Sequence, residues 1–190
     1  MIESLSISIT DFFYSNDIIE EDEKEILVYG LQLIISSLLG VSVLLMIGAA
    51  LGRLTDTIIF LVTFIILRMY SGGYHANSYL KCNITLISVY MGMIGAVTYT
   101  PPGYSGILSF IMAAYTVCMV LRYAPVDNEN KRLDEKKKKE NRTVTVVLMI
   151  AFYLIAMVMY KTGVQSFYTV IVTMFSVAVL IKIKVKGSCK

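Results

Sequence analysis

The chain has 190 residues, 56% hydrophobic and 16% charged, and its 17 lysines and arginines against 14 acids leave a formal net charge of +3. A soluble domain carries roughly 45–50% apolar and about 25% charged residues, so a mean hydropathy of +0.69 excludes an ordinary soluble globule. It predicts instead an all-α, polytopic integral membrane protein whose apolar side chains are solvated by lipid.

The first element is acidic and amphipathic, over residues 1–25. Ile2, Leu5, Ile9, Phe12 and Phe13 recur at helical spacing within residues 1–14, which predicts a helix lying on the membrane surface. Eight acids stand in residues 1–25 against the single base Lys24, and the run 17–25 reads either as a solubilising lead-in or as a docking element. Nothing in this acidic start resembles a basic-plus-apolar signal sequence, so no cleavage is expected.

Six apolar segments follow, at about 26–51, 54–70, 83–100, 105–121, 144–160 and 164–181, each near the roughly 20 residues that a transmembrane or re-entrant helix needs. The second is short and carries Asp56 and Arg68 near its ends, where both can snorkel; a tilted or partly re-entrant helix is one reading of it. Gly52-Arg53, Ser71-Gly72-Gly73, Thr100-Pro101-Pro102-Gly103 and Lys161-Thr162-Gly163 mark turns. The remaining connection, 122–143, is long and dense in charge. The segments make one transmembrane domain over 26–182, and 183–190 forms a basic tail.

Orientation follows from the lysines and arginines. With six spans and the N-terminus inside, fifteen of the 17 fall on the cytoplasmic side, and only Arg53 and Lys161 lie outside. Both termini and residues 68–82 are therefore expected to face the cytoplasm. Basic clusters beside apolar spans suit an anionic leaflet or an acidic peptide, and no nucleic acid is expected as a partner. The three cysteines, Cys82, Cys118 and Cys189, are odd in number and widely spaced, which argues against a disulfide framework or a zinc site. With one histidine in the chain, neither a metal nor another cofactor is expected.

The chemically informative stretch is Arg68-Met69-Tyr70-Ser71-Gly72-Gly73-Tyr74-His75-Ala76-Asn77-Ser78-Tyr79-Leu80-Lys81-Cys82. A thiolate can attack an amide carbonyl, and a neighbouring imidazole can take the thiol proton and return it to the leaving amine. On one continuous helix, His75 and Cys82 would share a face but stand about 10.5 Å apart along the axis. The two meet only if the chain breaks, which Gly72 and Gly73 allow, and a helix N-terminus at Cys82 would favour the thiolate. Read from these residues alone, a polar interfacial loop with an inert thiol stays open. So do a small membrane transporter or peptide exporter, with His75 as a proton relay, and a non-catalytic anchoring protein.

The run R-x3-G-G-x-H-A-x5-C after a short apolar span resembles the AgrB family of membrane endopeptidases. The six apolar segments and the basic connection opened by Tyr123-Ala124-Pro125-Val126-Asp127 resemble that family as well. The resemblance covers about residues 20–185. It implies that Cys82 is the nucleophile and His75 its base, with Arg68 and Gly73 also needed for activity. Gly72 completes the glycine pair, and Asn77 is a candidate to orient the imidazole. Arg68 could hold a carboxylate or a developing oxyanion, although a structural role is nearly as good a reading.

The implied substrate is an AgrD-type precursor peptide with an amphipathic N-terminal part, a core containing Cys or Ser, and an acidic C-terminal tail. A thioester on Cys82 would release the tail and allow thiolactone or lactone closure of a quorum-sensing peptide. Lys136, Lys137, Lys138 and Lys139 are candidates to hold the acidic tail, against the stronger reading that they fix topology and meet anionic lipid. The resemblance further implies a homodimer in the bacterial cell membrane.

Overall fold

This computed structural model describes residues 2–72, 79–126 and 134–187. Among the described residues seven α-helices carry the fold: α1 (Ile2–Ser15), α2 (Lys24–Ala50), α3 (Leu54–Ser71), α4 (Tyr79–Tyr99), α5 (Pro102–Tyr123), α6 (Glu135–Lys161) and α7 (Phe167–Gly187). Among the described residues the only β-type pairing is an isolated bridge between Gly72 and Val126. The protein is thus all-α. Five stretches, Glu21–Ala50, Leu54–Ser71, Leu80–Tyr99, Gly103–Tyr123 and Glu135–Lys161, are long and apolar enough to cross a membrane, and Phe167–Ile183 in α7 is a shorter apolar helix. This is a multi-pass membrane protein.

The turns follow local chemistry. Gly52 takes φ +65° directly after α2, where most residues with a Cβ would be strained. Pro102 opens α5, since the first helical position needs no amide donor. Asp134 caps α6 by accepting from the Glu135 amide at 2.9 Å. The charged connection predicted over 122–143 is correspondingly shorter: α5 runs on to Tyr123 and α6 starts at Glu135. Lys136 to Lys139 therefore sit on a helix, because Asp134 supplies a cap and Lys and Glu are good helix formers.

Helix α7 is the centre of the bundle. Helices α3, α4, α5 and α6 all pack on it, and Tyr168, Val170, Ile171, Val172, Met174 and Ile181 are buried along its length. No charge interrupts it before Lys182, and a helix apolar on all sides belongs in the interior of a helical protein. The outer helices instead turn Leu38, Phe110, Leu154 and Val158 away from the protein, as lipid contact requires.

The two ends of the bundle differ. Where α3 and α7 begin, Asp56 is 6% exposed; its carboxylate accepts from Thr169 Oγ1 at 2.7 Å and pairs with Arg53 at 3.3 Å. The sequence suggested that Asp56 snorkels, but it turns inward, because two partners satisfy it there. Nearby, Thr57 donates to the Arg53 carbonyl at 2.9 Å, and its Oγ1 lies 2.7 Å from the Tyr90 hydroxyl. Gly48 of α2 packs against this pair, leaving no space for a Cβ.

Helix α1 lies along α2. Its fully buried residues are Ser6 and Thr10, whereas Leu5 and Phe12 of the predicted apolar stripe are exposed. Small hydroxyl residues allow close approach, and their hydroxyls are satisfied locally by the Ile2 and Ser6 carbonyls, each at 2.9 Å. Lys24 stands 3.3 Å above the Tyr14 ring and ties the end of α1 to the start of α2.

Candidate active site

The end of the bundle opposite Asp56 gathers the C-termini of α3 and α5 and the N-termini of α4 and α6. Arg68 lies in the last turn of α3. Its Nη1 is buried, so it too does not simply snorkel to the surface. The guanidinium stands 5.6 Å from the Phe64 ring centre.

Gly72 ends α3 with φ +68° and ψ −154°, a region essentially confined to glycine. The reason is visible across the bridge. Val126 donates its amide to the Ser71 carbonyl at 3.1 Å, and a Cβ on Gly72 would lie 3.2 Å from Val126 N and C, and closer still to its carbonyl oxygen. The segment leaving α5 is thereby docked onto the end of α3. Arg142 of α6 steadies the same region, donating to the Leu121 carbonyl at 2.8 Å and so satisfying one of the carbonyls that a helix end leaves open.

Cys82 is a free, half-buried thiol in the first described turn of α4. Its place at the start of α4 brings it to the same end of the bundle as Arg68, at the end of α3. The next residue, Asn83, packs on α2, donating from Nδ2 to Ser36 Oγ at 3.1 Å and to the Ser36 carbonyl at 3.4 Å. Arg68, Gly72 and Cys82 are thus collected at one end. Gly73, His75 and Asn77 lie outside the described residues, and so do Lys131 and Arg132. Lys136, Lys137 and Lys139 are exposed, whereas Lys138 is half-buried and pairs with Glu135 at 3.2 Å.

Two features escape a reading by motif. Asn83 follows Cys82 directly and carries a polar group into an apolar helix, a signal that such a residue has a partner. The Ser71–Val126 contact joins residues 55 positions apart with no side-chain chemistry, so nothing in residue type announces it. Elsewhere, an apolar cleft of about 420 Å³ opens between α5, α6 and α7, with Gly106, Ala113, Tyr153, Ala156, Phe167 and Ile171 in its walls; none of its lining residues belongs to the Cys82 end.

Comparison with known proteins agrees with this layout. The family model described as Accessory gene regulator B matches residues 6–183. An AgrB-like protein of Clostridium perfringens strain SM101 is 30% identical over 162 residues, covering 81% of this chain and 74% of its own length. A second, from strain 13 of that species, is 29% identical over the same coverage, and one from Listeria innocua is 27% identical over 150 residues, covering 77% and 72%. The names of these relatives say no more than AgrB-like. No solved structure matches. With a family match running nearly the length of the chain, over the same residues that bring Arg68, Gly72 and Cys82 together, this protein belongs to the accessory gene regulator B family.

Proposed function

We propose that this protein is a membrane cysteine endopeptidase that removes the C-terminal tail of an AgrD-type precursor and so allows a cyclic quorum-sensing peptide to form. The observation that carries the reading is that the free Cys82 thiol at the start of α4, Arg68 in the last turn of α3 and the Gly72 turn come to one end of the bundle.

The chemistry follows from the residue types. His75 accepts the Cys82 proton, and the sulfur attacks the carbonyl at the junction of core and tail. Arg68 stands ready for the charge that develops on the carbonyl oxygen. The C–N bond then breaks, and the tail leaves as an amine carrying the proton from His75. Cys82 now holds the core as a thioester. A thiol or hydroxyl within the core attacks that carbonyl, the bond to Cys82 breaks, and the displaced sulfur regains a proton as the thiolactone or lactone closes. No water is consumed, so a site that excludes water favours closure over hydrolysis.

The exposed Lys136, Lys137 and Lys139 on the first turns of α6 offer positive charge to an acidic tail or to anionic lipid. The lysine and arginine bias puts this end of the bundle at the cytoplasmic face, the side on which a newly made precursor arrives.

Co-expression with an AgrD-type precursor, read by intact mass, tests the proposal. Loss of the tail is expected with the natural sequence and not with Cys82→Ala, and His75→Ala is expected to trap no thioester. Cleavage that persists in Cys82→Ala would discard the reading.

A further inference from the structure

We infer that Asn83 is a positioning residue for Cys82: its carboxamide, seated in the notch that Ser36 and Gly40 leave in α2, anchors the first turns of α4 and so sets where the neighbouring thiol stands. The inference rests on the proposed function for its catalytic meaning, but its geometry stands apart from it.

Three observations converge on Asn83. Its Nδ2 reaches both Ser36 Oγ and the Ser36 carbonyl, at 3.1 and 3.4 Å, and Ser36 is itself buried at 4% exposure. Gly40, one turn further along α2, admits the other side of the carboxamide: a Cβ there would stand 2.8 Å from Asn83 Oδ1 and 3.4 Å from Leu86 Cδ2. The apolar neighbours of Asn83 in the first turns of α4 are largely uncovered: Leu80 and Ile84 are 70% and 54% exposed.

Successive residues on a helix point about 100° apart. With Asn83 seated on α2, the direction of the Cys82 side chain at this end of α4 follows. An amide at this depth has strong reason to stay seated, since leaving the notch would expose it to an apolar surround. An apolar residue at 83 would pack there without a directed contact to α2. Further along, the Tyr90–Thr57 contact holds the rest of α4.

The test uses the full-length protein with Cys118→Ala and Cys189→Ala, so that Cys82 is the remaining thiol. Two readouts are taken in vesicles: steady-state cleavage of an AgrD-type precursor, and the pH profile of Cys82 alkylation by iodoacetamide. Asn83→Ala is expected to lower kcat by about ten- to a hundredfold, as small misplacements of a reacting group do, with KM held within about twofold. Its alkylation profile should move away from that of the parent. Ser36→Ala, which removes one hydroxyl and leaves the helix its shape, should shift both readouts in the same direction by less. The exchange Ser36→Asn with Asn83→Ser should recover part of the lost kcat.

A parent-like kcat and alkylation profile in both Asn83→Ala and Ser36→Ala would overturn the inference while leaving the endopeptidase reading intact. The converse failure is separable. If the parent does not cleave the precursor, the endopeptidase reading falls, and the alkylation profile still decides whether Asn83 positions the thiol. Should Asn83→Ala not accumulate in the membrane, Ser36→Ala carries the decision alone.

Discussion

At Gly72 the backbone leaves α3 with φ +68° and ψ −154°, and the Val126 main chain fills the space where a side chain would begin. Both constraints act on one substitution. Gly72→Ala must either distort the helix end or push Val126 away, at about 1–3 kcal/mol for the backbone strain alone. We expect Gly72→Ala to lose precursor cleavage and to unfold at a lower temperature in detergent, followed by light scattering; an unchanged midpoint with full activity would show that the bridge is dispensable. The same residue shows where reading by motif stops. A glycine pair reads as flexibility, whereas the first of the two is needed for the opposite reason, to let two main chains touch. Cys82 and Arg68 were singled out by their spacing around the glycine pair and His75, a pattern that the residue chemistry alone left open. Asn83 was less so, because its role lies in a notch formed by Ser36 and Gly40, more than 40 positions earlier.

At the scale of elements, α2, α3 and α4 meet in a knot made by Gly48, Thr57 and Tyr90. Thr57 gives its proton to the Arg53 carbonyl at 2.9 Å, which leaves its oxygen to accept from the Tyr90 hydroxyl at 2.7 Å. Tyr90→Phe removes that bond but leaves Thr57 satisfied, so its cost should stay near the roughly 0.6 kcal/mol typical of polar contacts between membrane helices. Gly48→Ala places a Cβ 2.8 Å from Thr57 Cβ and 3.1 Å from the Tyr90 hydroxyl, an overpacking worth about 1–3 kcal/mol. Unfolding in mixed micelles should therefore rank Gly48→Ala as the more damaging change, and the reverse order would mean that the knot is held by its hydrogen bond.

The helices themselves were readable from the length of apolar runs, since lipid demands that each run satisfy its own backbone. Their edges were less so. The sequence places Lys136 to Lys139 in a loop because charge clusters usually mark one. What makes them helical is the single cap at Asp134 and a Glu135–Lys138 pair at 3.2 Å, local details that a charge count overlooks. Helix α1 was anticipated, but the residues it buries are hydroxyl-bearing, because contact with α2 rewards small size over apolarity.

For the molecule as a whole, the charge bias makes a topological prediction. A cysteine replacing Lys161, in a background without native thiols, should react with a membrane-impermeant maleimide added to intact cells, whereas one replacing Lys137 should react only after permeabilisation. Labelling of both positions from outside would invert or break the proposed orientation and with it the access of a newly made peptide to Cys82.

The central place of α7 bears on how the protein is made. A growing polypeptide is extended from its N-terminus, so the four helices that pack on α7 emerge from the ribosome before it. Until Thr169 arrives, Asp56 keeps its pair with Arg53 but lacks its 2.7 Å partner from that helix, and an incompletely satisfied acid is costly inside a bilayer. Chains that stop short of α7 therefore leave this carboxylate less well satisfied than finished ones do.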